Sequence, residues 1–100
     1  MKTEYFDLKN KRALISGGAS GIGSSIVEHL CEQGVEVYFF DIDKKEAKKT
    51  INKIKKKKFK IPNFVECDIK NIKKYKSSIL SIINKGGPVD VLINNASNDQ

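Results

Sequence analysis

Hydrophobic and polar residues follow two different periods along this chain, and the change of period divides it into elements. Short runs rich in branched and aromatic residues are typical of buried strands, whereas apolar residues three or four positions apart are typical of helices. The pattern predicts strands over residues 12–16, 35–40, 63–67 and 89–94. It predicts helices over residues 22–33, 44–57 and 69–84, the first of which is closed by Gly34.

Regular alternation of strands and helices predicts an α/β fold. Parallel strands need crossover connections, which helices provide and which are right-handed, so the expected architecture is a doubly wound parallel sheet. A chain of 100 residues makes at most one small domain. Neither an internal repeat nor a linker divides it, and we therefore expect one domain over residues 1–100.

The second predicted helix carries most of the excess charge. The chain has a net charge of +7, and ten lysines fall between Lys44 and Lys60. Ala47, Ile51 and Ile54 form an apolar stripe on this helix. Aromatic residues that could stack on bases do not interleave with its lysines, so the pattern favours a solvated outer face over a polyanion site. We predict no nucleic-acid partner; the alternative, a nucleic-acid binder, requires salt-sensitive affinity.

Composition also bears on location and on metals. No apolar run reaches the length of about 18 residues that a membrane span needs, and the amino-terminal sequence MKTEYFDLKNKR lacks the apolar stretch of a secretory signal. These features predict a cytoplasmic protein with no membrane partner. The spacing of Cys31 and Cys67 fits neither a disulfide framework nor a metal site, so both are expected to be reduced thiols. His29 lies two residues from Cys31, on another face of the predicted helix, and no metal site is predicted.

The clearest candidate for chemistry is the sequence RALISGGASGIGSSIVEHL, in which glycines 17, 18, 21 and 23 join a strand to a helix. Ligands bind at the carboxyl ends of strands in open α/β sheets, and a helix amino terminus attracts phosphate. The pattern G-x-G-x-x-G fits no register of these glycines, and the phosphate loop G-x-x-x-x-G-K-[ST] fails because Ser24 stands in place of lysine. The pattern G-x-x-x-G-x-G fits Gly17, Gly21 and Gly23. A glycine turn that serves geometry alone is the alternative.

Polar residues end the other predicted strands. Asp41 ends the second strand, about 20 residues beyond the glycines, where a carboxylate can bind an adenosine ribose. Asp68 follows the third strand, and the fourth ends in NNAS, residues 94–97. Since the strands are expected to be parallel, these groups should share one edge of the sheet. As an alternative role, aspartate at such positions often caps the following helix.

Taken together, these motifs resemble the amino-terminal part of a short-chain dehydrogenase/reductase. The resemblance extends from FDLKNKRALISGGASGIG through Asp68–Ile69 to PVDVLINNAS. It implies an incomplete Rossmann-like domain that binds NAD or NADP. The cofactor-binding residues that it implies are Gly17, Ser20, Gly21, Ile22, Gly23, Asp41, Asp68, Ile69, Asn95 and Ala96. Two residues depart from the family pattern: Ser16 replaces the usual threonine, and Ser97 replaces the glycine of NNAG.

The resemblance further implies an oxidoreductase that interconverts an alcohol and a carbonyl by hydride transfer at the nicotinamide. We expect NAD rather than NADP, because Asp41 would repel the 2′-phosphate of NADP and Ser20 stands where NADP-dependent members often have arginine or lysine. Lys44 and Lys45 weaken this argument. The ending NNASNDQ is similar to that of family members acting on sugars or polyols. A small-molecule substrate and a homo-oligomeric intact enzyme are also implied.

Catalytic residues are not expected in this sequence. The family uses a serine, a tyrosine and a lysine, the last two as Y-x-x-x-K beyond a fifth strand, and the sequence stops before that region. Tyr5 and Lys9 match the letters but precede the first strand, so the match is interpreted as coincidence. The chain alone is therefore expected to be inactive. The alternative hypothesis is a stand-alone nucleotide-binding or regulatory module without catalysis.

Overall fold

The computed structural model describes residues 8–95. The elements follow in the order β1 (Arg12–Ser16), α1 (Gly21–Glu32), β2 (Glu36–Asp41), α2 (Lys44–Lys56), β3 (Asn63–Glu66), α3 (Ile72–Gly86) and β4 (Val91–Asn94). The strands form one parallel sheet in the order β3-β2-β1-β4. This arrangement confirms the predicted fold class, a Rossmann-like doubly wound parallel sheet.

The two faces of the sheet carry separate apolar clusters. Ala13 and Ile15 of β1 face α1 and α2, and they are completely buried there with Phe39 of β2. Leu14 lies between them in sequence and faces α3 together with Phe40. Successive side chains of a strand point to opposite faces, so the continuous apolar runs of β1 and β2 fill both clusters.

The lysine-rich helix α2 lies on the first face as the apolar stripe predicts. Ala47 and Ile54 are fully buried and Ile51 packs against them, while the lysines of the helix are exposed. Lys53 and Lys57 form ion pairs with Glu28 of α1. The hydrogen bond from Lys57 lowers the pKa of Glu28 below its ordinary value, against the opposing effect of burial. This face of α2 is thus tied to α1 by apolar packing and by charge.

Helix α3 begins three residues later than the predicted start at residue 69. The carbonyl of Asp68 accepts a hydrogen bond from the Asn71 N–H at 2.8 Å, and the Asn71 side chain accepts one from the Lys74 N–H at 3.2 Å. These bonds form a turn with Asn71 as the helix N-cap. Ile72, in the first turn of α3, is 55% exposed, and Ile82 is the buried residue of the helix.

Arg12, which opens β1, holds the carboxyl end of α3. Its guanidinium is almost fully buried and donates hydrogen bonds to the carbonyls of Ile82, at 3.2 Å, and Gly87. Its Nε lies 3.4 Å from Glu36 Oε1. A Cβ on Gly86 would lie 2.4 Å from the guanidinium, so glycine permits the close approach. The apolar pattern predicts the strand that Arg12 opens, but not this contact with α3.

No helix within residues 8–95 is both long and apolar enough to cross a membrane.

Candidate functional site

A cleft of about 410 Å³ lies at the carboxyl edge of the sheet. It is lined by Gly17, Ser20, Phe40, Asp41, Ile42, Cys67, Asp68, Ile69, Lys70 and Asn95. Six of these were predicted as site residues: Gly17, Ser20, Asp41, Asp68, Ile69 and Asn95. The structure therefore brings residues from the ends of all four strands together in one place, as parallel strands should.

Glycine is required by backbone conformation and by close packing in the glycine loop, which is residues 17–20 between β1 and α1, and in the first turn of α1. Gly17 and Gly21 have φ angles of 73° and 60°, in the left-handed region that favours glycine. A Cβ on Gly23 would lie 1.8 Å from the Gly17 carbonyl oxygen. Gly23 thus lets the first turn of α1 pack directly on the loop. A Cβ on Gly21 would meet no atom within 4 Å, so the space in front of this residue is open.

The amino terminus of α1 has no side-chain cap from its own N-cap residue. Ser20 is its N-cap residue, but the serine side chain makes no capping hydrogen bond, and the first turn contains no acidic residue. The first N–H groups of a helix have no partner within the helix and carry partial positive charge. Gly21 and Ile22 belong to this turn, and Ile22 is 74% exposed. The end of α1 therefore has the donors and the access that a phosphate needs.

Asp41 connects the glycine loop to the start of α2. Its Oδ2 accepts a hydrogen bond from the Ala19 N–H at 3.0 Å, and its Oδ1 accepts one from the Asp43 N–H at 3.0 Å. Each carboxylate oxygen can accept more than one hydrogen bond. A fixed carboxylate on the cleft therefore still has acceptor capacity for hydroxyl groups of a ligand. The N-cap residue of α2 is Asp43, whose side chain accepts a hydrogen bond from the Glu46 N–H. The alternative capping role of Asp41 therefore belongs to Asp43, two residues later.

Asn95 ties the end of β4 to the glycine loop. Its side-chain Nδ2 donates to the Gly17 carbonyl at 3.0 Å, and its backbone N–H donates to Ser16 Oγ at 3.1 Å. Ser16 is buried and keeps the hydroxyl that the usual threonine would supply. Ala96 and Ser97 lie outside the described residues.

The residues that follow β3 form another part of the cleft lining. Asp68 is exposed and Ile69 is partly buried, and the buried Cys67 lies beside them. Four further residues line the cleft that were not predicted as site residues, although each is adjacent in sequence to a predicted one: Phe40, Ile42, Cys67 and Lys70. Adjacency to the end of a parallel strand was the signal that could have found them.

Within residues 8–95, neither the two cysteines nor His29 belongs to a cluster of metal-binding side chains. Both cysteines are buried free thiols, and burial raises the pKa of the Cys31 thiol to about 12, so it stays protonated at neutral pH. His29 is exposed on α1. From Leu8 to Asn95, no group of three or more His, Cys, Asp or Glu side chains could hold a metal ion. Tyr5, of the early Y-x-x-x-K, lies outside the described residues.

Comparison with known proteins identifies the family. Residues 11–100 match the short chain dehydrogenase family. The chain is 32% identical over 97 residues to a probable galactose dehydrogenase, GalD, of Rhizobium meliloti, covering 97% of this chain and 38% of that protein. It is 37% identical over 95 residues to a D-xylose 1-dehydrogenase of Caulobacter vibrioides, covering 95% and 36%. The chain belongs to the short-chain dehydrogenase family.

Solved structures agree with this assignment. A β-ketoacyl-[ACP] reductase of Bacteroides thetaiotaomicron superposes with a TM-score of 0.82 at 30% identity, covering 89% of this chain and 43% of that chain. The fold is shared by proteins with different dinucleotides. An actinorhodin polyketide ketoreductase was determined with NADPH (TM-score 0.78, 26% identity, 89% and 34% covered), and a Mycobacterium avium carveol dehydrogenase with NAD (0.79, 22%, 91% and 37%). This chain spans little more than a third of the length of the curated relatives named here.

Proposed function

We propose that this chain is the dinucleotide-binding part of an NAD-dependent oxidoreductase that interconverts an alcohol and a carbonyl. The observation that carries the proposal is the position of Asp41, whose carboxylate is fixed between the glycine loop and α2 at the wall of the cleft. A dinucleotide needs a phosphate site and a ribose site side by side, and the free end of α1 and the Asp41 carboxylate offer this pair.

The residues of the cleft fit a dinucleotide. The uncapped end of α1 and the open space before Gly21 suit the pyrophosphate, since no side chain there would keep a phosphate at a distance. Asp41 would hold the adenosine ribose, and Asp68 with Ile69 would lie beside the adenine. Gly17, Ser20, Ile22 and Gly23 would shape the pyrophosphate side, and Asn95 with Ala96 would continue toward the nicotinamide. When bound, the nicotinamide accepts or donates the hydride.

The charge at Asp41 supports NAD over NADP. A carboxylate hydrogen-bonds the 2′-hydroxyl of NAD but repels the 2′-phosphate of NADP. Ser20 also lines the cleft and supplies no positive charge to the 2′-phosphate. Lys44 and Lys45 are exposed at the start of α2, and neither of them lines the cleft. The balance of charge around the ribose therefore favours NAD.

The substrate that we propose is a small sugar or polyol. The relatives named as galactose dehydrogenase and D-xylose 1-dehydrogenase support this class, and their alignments cover nearly the whole of this chain. In the protein that carries this chain, a serine, a tyrosine and a lysine of the family's kind would move the proton between substrate and solvent. Intact family enzymes are expected to be homo-oligomers in the cytoplasm, and we propose the same for the protein that carries this chain.

Substitution of Asp41 tests the cofactor assignment. In the intact protein, Asp41→Ala is expected to reduce the preference for NAD over NADP about tenfold or more, because one repulsion and one charged hydrogen bond are lost. Dissociation constants for both dinucleotides by calorimetry give the preference.

Asp43→Ala is the matched control. It removes the same charge two residues away, from a side chain that caps α2 and does not line the cleft, and it should leave the preference within about twofold of the wild type. A wild-type protein that binds NADP more tightly than NAD would refute the assignment. A wild-type protein that binds neither would refute the proposed function itself.

A further inference from the structure

The peptide groups on both sides of Ala19 are held by side chains from outside the glycine loop. The Ala19 N–H donates to Asp41 Oδ2 at 3.0 Å. The Ala19 carbonyl accepts a hydrogen bond of 2.8 Å from Thr50 Oγ1, in the middle of α2. Ala19 is 1% exposed and Thr50 6%, so water does not compete for this second bond. Two consecutive peptide planes of the loop are therefore fixed.

The Thr50 bond sets the direction of the next N–H group. The Ala19 carbonyl and the Ser20 N–H belong to one trans peptide plane, so they point in opposite directions. Because Thr50 draws the carbonyl toward α2, the Ser20 N–H is turned away from that helix. Within the described part of the chain, the Ser20 N–H donates to no protein acceptor. Ser20 is the N-cap residue of α1 and lines the cleft.

We propose that Thr50 is a positioning residue for the dinucleotide pyrophosphate, acting through the Ala19–Ser20 peptide. This inference rests on the proposed function. Thr50 is the polar member of the buried face of α2, between Ala47 and Ile54. A valine would fill the same space, but it would leave the Ala19 carbonyl buried without a donor. Helix α2 thus has a role in the site although its own outer face is a solvated run of lysines.

The test compares two substitutions of Thr50 in the intact protein, each of which removes a different group. Thr50→Val keeps the shape and removes the hydroxyl, whereas Thr50→Ser keeps the hydroxyl and removes a methyl group. We expect Thr50→Val to raise the dissociation constant for NAD about tenfold, the scale of one weakened hydrogen bond from the Ser20 N–H to a charged phosphate. Thr50→Ser should stay within about twofold of the wild type. Calorimetry measures both, with Ile54→Val as a control that removes a methyl group from the same buried face of α2 but no hydrogen-bonding group.

A second readout separates this inference from the proposed function. Hydrogen exchange of the Ala19 amide, followed by NMR without any dinucleotide, should be about tenfold faster in Thr50→Val and unchanged in Thr50→Ser and Ile54→Val. If Thr50→Val binds NAD like the wild type, Thr50 is structural only and the inference is overturned. If the wild type does not bind NAD, the proposed function fails, and unchanged Ala19 exchange in Thr50→Val would then also exclude Thr50 as the residue that holds the loop.

Discussion

At the scale of single residues, two glycines in the first turn of α1 meet different physical demands. Gly23 is needed because a side chain would overlap the Gly17 carbonyl oxygen, which also accepts from Asn95. Gly21 is needed for its backbone conformation, since its φ is 60° and the space beyond it is open. The first demand concerns packing between α1 and the loop, and the second concerns backbone strain. The two positions should therefore respond differently to the same substitution.

Alanine at each position gives a direct comparison. Gly23→Ala is expected to lower the free energy of unfolding by about 3 kcal/mol, because the backbone of the loop or of α1 must move to admit the methyl group. Gly21→Ala should cost about 1 kcal/mol, the strain of a left-handed conformation in an L-residue. Urea denaturation of the intact protein followed by circular dichroism measures both. Equal losses at the two positions would contradict the close approach of Gly23 to Gly17.

At the scale of elements, Arg12 joins three of them. It stands in β1, pairs with Glu36 of β2 and donates to carbonyls at the carboxyl end of α3, including that of Ile82. Cations near a helix carboxyl terminus satisfy carbonyls that have no partner within the helix. The chain then continues through Gly87 to β4, whose start is set by a hydrogen bond from the Arg12 N–H to the Asp90 carboxylate at 2.8 Å. Arg12 therefore holds both the end of α3 and the start of β4 in place.

Removal of the Arg12 guanidinium should be costly. Arg12→Met keeps a long apolar stem but removes the ion pair with Glu36 and the donors to the Ile82 and Gly87 carbonyls, and we expect a loss of about 2–4 kcal/mol in the free energy of unfolding. The adjacent Lys11 is exposed, so Lys11→Met serves as a matched control and should change stability by less than about 0.5 kcal/mol. Chemical denaturation of both variants decides the matter. A loss in Arg12→Met no larger than in the control would show that the contact contributes nothing.

At the scale of the whole molecule, the cleft gathers residues from four strand ends, and no Y-x-x-x-K sequence occurs within residues 8–95. The four-stranded sheet ends on one side at β4, where Val91 and Leu92 are 38% and 57% exposed. General acid–base catalysis contributes about 10² to 10⁴ in rate, and positioning of the substrate contributes further. We therefore expect dinucleotide binding and dehydrogenase turnover to be separable properties of this chain.

The 100-residue chain alone is expected to show no dehydrogenase turnover with NAD. The measurement is nicotinamide absorbance with a panel of sugars, polyols and secondary alcohols, after removal of host dehydrogenases. Steady turnover that disappears in Tyr5→Phe would show that the early Y-x-x-x-K is catalytic after all. Turnover that persists in that variant would place the catalytic groups elsewhere in the chain.

The sequence by itself determined the order and type of the elements and most of the cleft wall. Element type depends on the spacing of neighbouring apolar residues, and the ends of parallel strands must share an edge, so Asp41 and Asp68 could be assigned to one site before any coordinates. The family resemblance and the glycine pattern could also be recognised in the sequence, since both depend on residues close in sequence. The start of α3 was misplaced because side-chain bonds of Asp68 and Asn71 override the apolar period.

Only the tertiary structure decided which strands are neighbours and which buried polar groups meet. Thr50 is 31 positions from Ala19, and Arg12 is 70 positions from Ile82. Spacing rules describe residues within one helix or strand, and they say nothing about partners on separate elements. In the sequence Thr50 is an ordinary threonine within a lysine-rich helix. Its role arises from the packing of α2 against the glycine loop, where a buried carbonyl has to find a donor.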